Sequence, residues 1–204
     1  MGSGAAVNAT EGKTMDESWY SALEWVAAAL GLVNIALLVR RSVWNYAFGM
    51  AMVAIYVFVF LEKRLYAESG LQVFFFAAQG WGWWLWARSK GVGEDVPVGW
   101  LSPFSRIVWA LVTAALSLNL GWALARFTNA AMPFADSAVT GASVAAQILL
   151  GLRKTENWML WIAIDVASVA LYINRGLYPT AALYVGFLVL SVLGLREWMK
   201  AGRA

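Results

Sequence analysis

The sequence contains no cysteine and no histidine. Without cysteine there is no disulfide framework, thiol nucleophile or thiolate metal site. Without histidine the commonest metal ligand and the usual general base near neutral pH are gone too. Charge is scarce, at 13% of 204 residues, and there are only four prolines. A soluble domain carries about a quarter charged residues. What remains is apolar: 61% hydrophobic with 13 tryptophans, at a mean hydropathy of +0.64. This is the composition of an integral membrane protein, and tryptophans near the ends of apolar runs suit the interfacial belts of a bilayer. The 15 basic residues, against 12 acidic ones, lie in short loops rather than on one face, which excludes a nucleic-acid interface. Gly31, Gly49 and Gly80-Trp81-Gly82 lack the spacing and the Lys-Ser/Thr of a phosphate-binding loop. No metal cluster or catalytic triad is present, so the chain is read as a non-enzyme that needs no cofactor or metal.

The chain is organised around 157–172. Trp158, Trp161, Asp165, Ser168 and Tyr172 are spaced i, i+3, i+7, i+10 and i+14, a single face of a helix. Asp165 falls ~13 Å from a start near Glu156, about halfway through a ~30 Å hydrocarbon core. An ionisable group at that depth faces a cavity or a partner. Two indoles and an acid on one stripe suit a flat, cationic or polar aromatic ligand. The bland alternative is two packing tryptophans and an acid paired with a neighbouring helix.

Residues 1–18 are polar and rich in Gly and Ala, and read as a flexible tail. Seven spans follow, near 20–39, 43–61, 67–87, 105–125, 133–152, 156–174 and 178–198. Ser89 to Pro103, with Gly91, Gly93, Glu94, Asp95 and Pro97, reads as a loop. Ten basic residues lie on one side of the spans: Arg40, Arg41, Arg88, Lys90, Arg106, Arg153, Lys154, Arg196, Lys200 and Arg203. Five lie on the other: Lys13, Lys63, Arg64, Arg126 and Arg175. That bias puts the N-terminus outside and the C-terminus in the cytoplasm.

The chain repeats itself. Trp44 pairs with Trp158, Tyr56 with Tyr172, Leu65-Tyr66 with Leu177-Tyr178 and Trp86 with Trp198, at offsets of 112 to 116 residues. The expected fold is therefore all-α, with seven transmembrane helices arranged as two parallel three-helix repeats joined by a linker helix. The units are 19–87, 104–126 and 133–200. Parallel repeats with a site between them are a transporter architecture.

The other polar faces are candidates for that site. One span carries Asp136, Thr140, Ser143 and Gln147, and another Gln72, Phe76, Gln79, Trp83 and Trp86. A third carries Asn45, Gly49, Met52 and Tyr56, and the first Glu24, Gly31 and Asn34. In lipid such amides and hydroxyls must turn inward to find partners. They serve either a ligand or bonds between helices. For Asn34, Asn45 and Asn119 the interhelical role is the simpler one. Asp136 reads as a helix N-terminal partner, and Glu24 as a solvated interfacial acid.

Several segments together resemble the PnuC family of bacterial vitamin-precursor transporters. They are Arg153-Lys154-Thr155-Glu156-Asn157-Trp158-Met159-Leu160-Trp161 with Asp165, and Trp44-Asn45-Tyr46-Ala47-Phe48-Gly49. Leu65-Tyr66-Ala67, Leu71-Gln72-Val73-Phe74-Phe75-Phe76, Gly82-Trp83-Trp84-Leu85-Trp86 and Gly176-Leu177-Tyr178 complete the match, which covers about Ser21 to Met199. The resemblance implies a bundle of three, one and three helices, similar to the SWEET sugar transporters and homotrimeric, in the bacterial inner membrane. It implies facilitated diffusion of nicotinamide riboside, trapped inside by a cytoplasmic kinase, without ATP or ion coupling. The family's ligand pattern of Trp, two residues, Trp, three residues, Asn falls on Trp158, Trp161 and position 165, where this chain has Asp165. Gln79 stands where relatives carry Asn or a small residue. Nicotinamide riboside and thiamine are both cationic heteroaromatics that a carboxylate suits, whereas uncharged riboflavin gains least. The site expected is Trp158, Trp161, Asp165, Gln72, Gln79, Thr140, Gln147, Asn45 and Tyr172. A non-transporting membrane scaffold or sensor is the contrasting possibility.

Overall fold

The computed structural model describes residues 4–62, 66–89, 96–128, 132–174 and 178–202. The motif residues Leu65, Gly176 and Leu177 lie outside this set, as do Lys63, Arg64, Lys90, Gly91, Gly93, Glu94, Asp95, Arg175 and Arg203. Seven helices are present: α1 (Gly4–Val39), α2 (Asn45–Glu62), α3 (Tyr66–Ser89), α4 (Pro103–Phe127), α5 (Pro133–Gly151), α6 (Glu156–Asn174) and α7 (Tyr178–Ala201). Six of the helices lie within a few residues of the spans read from hydropathy. The correction is α1, which begins at Gly4 and takes in most of the stretch read as a flexible tail. Its first turns hold Ala5, Ala6, Ala9, Glu11, Met15 and Glu17 and no proline, so helix propensity carries the helix back from the apolar run.

Five stretches are long and apolar enough to cross a membrane: Ala22–Val39, Asn45–Glu62, Pro103–Phe127, Pro133–Gly151 and Ala181–Ala201. The other two helices, α3 and α6, are diluted by Glu68, Gln72 and Gln79 and by Glu156, Asn157 and Asp165. Polar groups at membrane depth are tolerated where they line a cavity or meet another helix.

The packing order closes a ring. α1 packs on α2, α2 on α3, α3 on α5, α5 on α6, α6 on α7 and α7 back on α1, while α4 packs on α5 alone. The α4–α5 seam uses small residues. Gly121 sits against Phe134 and Ser137, and Gly141 against Ser117. The missing side chains let the backbones approach closely.

At one end of the ring two turns are built alike. Arg41 and Arg153 adopt positive φ, at 55° and 61°. Arg41 N donates to Leu38 O and Ser42 N to Leu37 O, while Arg153 N donates to Leu150 O and Lys154 N to Leu149 O. The Asn45 amide donates to Ser42 O at 2.6 Å and the Asn157 amide to Lys154 O at 2.7 Å. Each turn satisfies carbonyls that the ending helix leaves without partners. Corresponding residues in all these pairs are 112 residues apart. The structural partner of Trp158 is therefore Tyr46, not Trp44. Tyr46 is fully buried, while Trp44 is 66% exposed.

Between the turns lies an aromatic layer. Tyr46 meets Trp86 edge-on at 5.2 Å, Trp158 meets Trp198 edge-on at 5.6 Å, and Trp86 and Trp198 are 5.8 Å apart. Leu38, Leu150 and Val96 fill the same cluster. Val96 belongs to the α3–α4 connection, which crosses this end of the bundle as a strap. Gly99 N donates to Arg153 O at 3.1 Å, and Thr155 N donates to Gly99 O at 2.9 Å. The Glu156 carboxylate accepts Leu101 N at 3.0 Å and Arg106 Nε at 2.8 Å. Ser102 caps α4 by accepting Ser105 N, with Pro103 following at the first helical position.

Candidate functional site

Inside the ring is a cavity of about 510 Å³, within the 300–1,000 Å³ of small-molecule sites. Its walls come from α1, α2, α3, α5, α6 and α7, and α4 contributes none. Leu38, Leu150 and Trp158 belong both to the lining and to the aromatic layer, so that layer closes the cavity at the strap end.

The ring brings together seven of the nine residues expected in the site: Trp158, Trp161, Asp165, Gln72, Gln79, Gln147 and Asn45. Thr140 is not in the lining. Its hydroxyl turns back on its own helix and donates to Asp136 O at 2.9 Å, a local bond that serves the hydroxyl without a ligand. The Tyr172 side chain lies outside the described residues. Asn45 lines the wall, but its amide is spent on the Ser42 carbonyl.

Asp165 is 4% exposed, and one carboxylate oxygen accepts the Ser191 hydroxyl at 2.9 Å. A carboxylate held this way in an apolar ring is a seat for a positive charge. Trp161 is half-buried on the same wall, one turn along α6. Trp158 is 1% exposed and packs on Trp198 and against Gly194. It is a structural residue first, presenting only an edge to the cavity. The Gln147 side chain is 7% exposed, and its amide nitrogen has no protein partner among the described residues. A buried amide N–H pays a desolvation penalty unless something accepts it, so this donor is available to a ligand.

Across from α6, Gln79 and Asn34 bring carboxamides to the wall, and Asn34 Nδ2 donates to Asn45 O at 2.6 Å. Tyr56, Phe60 and Phe75 line the same side, with Gln72. Sequence reasoning missed the α7 contribution of Tyr184, Phe187 and Ser191. Their i, i+3, i+7 spacing in an otherwise apolar span was the signal. Phe76, placed on the inner face from spacing, is exposed, and Phe75 lines the cavity instead. Among the described lining residues Asp165 is the only carboxylate, and there is no Lys or Arg.

Comparison with known proteins places these features. Residues 21–200 match the family model described as nicotinamide mononucleotide transporter. The nicotinamide riboside transporter PnuC of Escherichia coli (strain K12) is 30% identical over 92% of this chain and 88% of its own length. PnuC of Neisseria mucosa is 27% identical over 90% of the chain and 73% of its own. The riboflavin/roseoflavin transporter RibM of Streptomyces davaonensis is 24% identical over 88% and 85%. The crystal structure of the vitamin B3 transporter PnuC superposes with a TM-score of 0.76 over 97% of this chain and 88% of that one, at 24% identity, which shows a shared fold. Family and relatives alike are transporters rather than enzymes. The chain belongs to the PnuC-type nicotinamide mononucleotide transporter family, as a multi-pass, all-α membrane protein.

Proposed function

We propose that this protein carries nicotinamide riboside across the bacterial inner membrane by facilitated diffusion, through the cavity at the centre of the ring. The observation that carries the reading is the α6 wall. Trp161 offers a flat aromatic surface, and the Ser191-bound Asp165 offers a buried negative charge on the same face. A pyridinium ring stacked there gains aromatic contact worth ~0.5–2 kcal/mol where desolvated. Gln147, Gln79, Asn34 and Gln72 bond its amide and ribose hydroxyls. The mononucleotide fits poorly. Its phosphate would meet Asp165 in a lining with no Lys or Arg among the described residues, and a buried unpaired anion is costly. Riboside recognition is thus favoured over the nucleotide of the family's description.

The two turns 112 residues apart support two parallel three-helix units, α1–α3 and α5–α7, joined by α4. Rocking of these units about the cavity would expose it to one side and then the other. The family resemblance suggests a homotrimer, with trapping inside by phosphorylation. The basic residues favour an outer N-terminus and a cytoplasmic C-terminus, which makes the strap end cytoplasmic. Asp165 also favours a second substrate, thiamine, because a carboxylate serves any cationic heteroaromatic. Uptake of labelled nicotinamide riboside, thiamine and riboflavin into proteoliposomes, side by side, tests the reading. Nicotinamide riboside uptake that a Trp161→Ala variant lacks is the expected result. Faster thiamine uptake would reassign the substrate, and no uptake of any of them would leave a scaffold or sensor.

A further inference from the structure

Gly49 lies in the middle of α2, facing the cavity. A Cβ built on it would collide with the carboxamide oxygen of Gln79, and would approach Asn34 Nδ2 to 2.6 Å. Glycine inside a helix costs about 1 kcal/mol relative to alanine, so its presence calls for something in the space it leaves. Two amides from two other helices occupy that space. The position 112 residues later makes the same point by exchange. There Trp161 stands at the glycine's place on α6, and Ser191 stands on α7 where α3 has Gln79. The bulky residue faces a short neighbour in one half, and the absent side chain faces a long neighbour in the other. Total volume is shared out so that one wall presents an aromatic surface and the other a pair of amides.

We infer that Gly49 is a positioning residue of the binding cavity, seating the Gln79 and Asn34 carboxamides against α2 so that they meet the neutral, hydrogen-bonding part of the ligand. This rests on the reading of the cavity as the ligand site. A methyl at position 49 displaces the far ends of two side chains rather than backbone. The helix therefore survives Gly49→Ala while the amides move.

The experiment is isothermal titration of nicotinamide riboside into the detergent-solubilised full chain as wild type, Gly49→Ala, Gln79→Ser, the double variant and Trp161→Ala. Gly49→Ala and Gln79→Ser are each expected to weaken binding about tenfold. In the Gln79→Ser background, Gly49→Ala should cost no more than about threefold, because residues acting through one contact are not additive. Uptake should show a raised KM with an unchanged maximal rate, which a general loss of fold would not give. Fully multiplicative effects, or wild-type affinity in Gly49→Ala, would overturn the assignment. If Gly49→Ala fails to assemble, Gln79→Ser decides alone, since wild-type affinity there removes the amide from recognition. Weak binding by Trp161→Ala beside wild-type Gly49→Ala would sink the glycine's role only. Wild-type binding by every variant would sink the cavity reading with it.

Discussion

The indole nitrogens of Trp86 and Trp198 each bond a carbonyl in the opposite half of the ring. Trp86 Nε1 donates to Leu150 O, and Trp198 Nε1 donates to Leu38 O, both at 3.3 Å. The two rings lie 5.8 Å apart, and the carbonyls they reach are those that also accept Arg153 N and Arg41 N in the two turns. One bond is the other with the halves exchanged. Trp86→Phe and Trp198→Phe keep most of the ring and remove the donor. Each is expected to lower stability by about 1 kcal/mol, the net worth of one such bond. Thermal melting in detergent checks this, and a large loss in one variant beside none in the other would contradict the exchange.

The two tryptophans of α6 should separate cleanly. Trp158 is buried against Trp198 and Gly194, so Trp158→Ala is expected to cost about 3–5 kcal/mol of stability. Trp161→Ala should leave melting nearly unchanged and weaken nicotinamide riboside at least tenfold, about 1.4 kcal/mol. Titration and melting of both variants give the comparison, and similar stability for the two would refute it.

Asp165→Asn preserves volume and removes the charge. It is expected to weaken nicotinamide riboside and thiamine at least tenfold, about 1.4 kcal/mol, while leaving any binding of neutral riboflavin as it was. Ser191→Ala, which removes the hydroxyl at 2.9 Å, should have a smaller effect in the same direction. Equal affinities for wild type and Asp165→Asn would make the carboxylate structural.

The strap depends on Glu156, which holds both Leu101 N and Arg106. Glu156→Gln weakens charge-assisted bonds to about half their strength. Amide exchange at Leu101 should speed up by about fivefold, or ~1 kcal/mol of local opening, with the helices unaffected. Unchanged protection at Leu101 would show that the strap is held by the Gly99 bonds to Arg153 and Thr155 instead.

Equilibration without concentration is expected in transport. The chain has no nucleotide-binding loop, and the described cavity lining holds one acid and no base. Proteoliposomes with an imposed proton or sodium gradient and no internal kinase should fill to the outside concentration and stop. Accumulation beyond that level would establish coupling.

The helices were legible because the bilayer writes them as apolar runs of fixed length. The α6 stripe was legible because a carboxylate at mid-span has few innocent explanations. The repeat was legible too, but Trp44 drew the eye in place of Tyr46, since composition marks tryptophan and only burial marks the partner of Trp158. Thr140 and Ser191 show the limit. Each is a hydroxyl on an apolar helix, and sequence does not tell whether it bonds its own turn, as Thr140 does, or crosses to an acid on another helix, as Ser191 does. Gly49 was visible as a letter in a motif, but what occupies its empty side depends on two helices brought together only by the closing of the ring.

The isolation of α4 has a practical side. It touches α5 alone and adds nothing to the cavity wall, and the whole chain is free of cysteine. A thiol introduced at an outward position such as Leu111 would be the one reactive handle on the molecule, remote from ligand. A spin label or fluorophore there, paired with a second at Phe58 on the exposed side of α2, would report the distance between the two halves as they move, on a background that needs no prior removal of native cysteines.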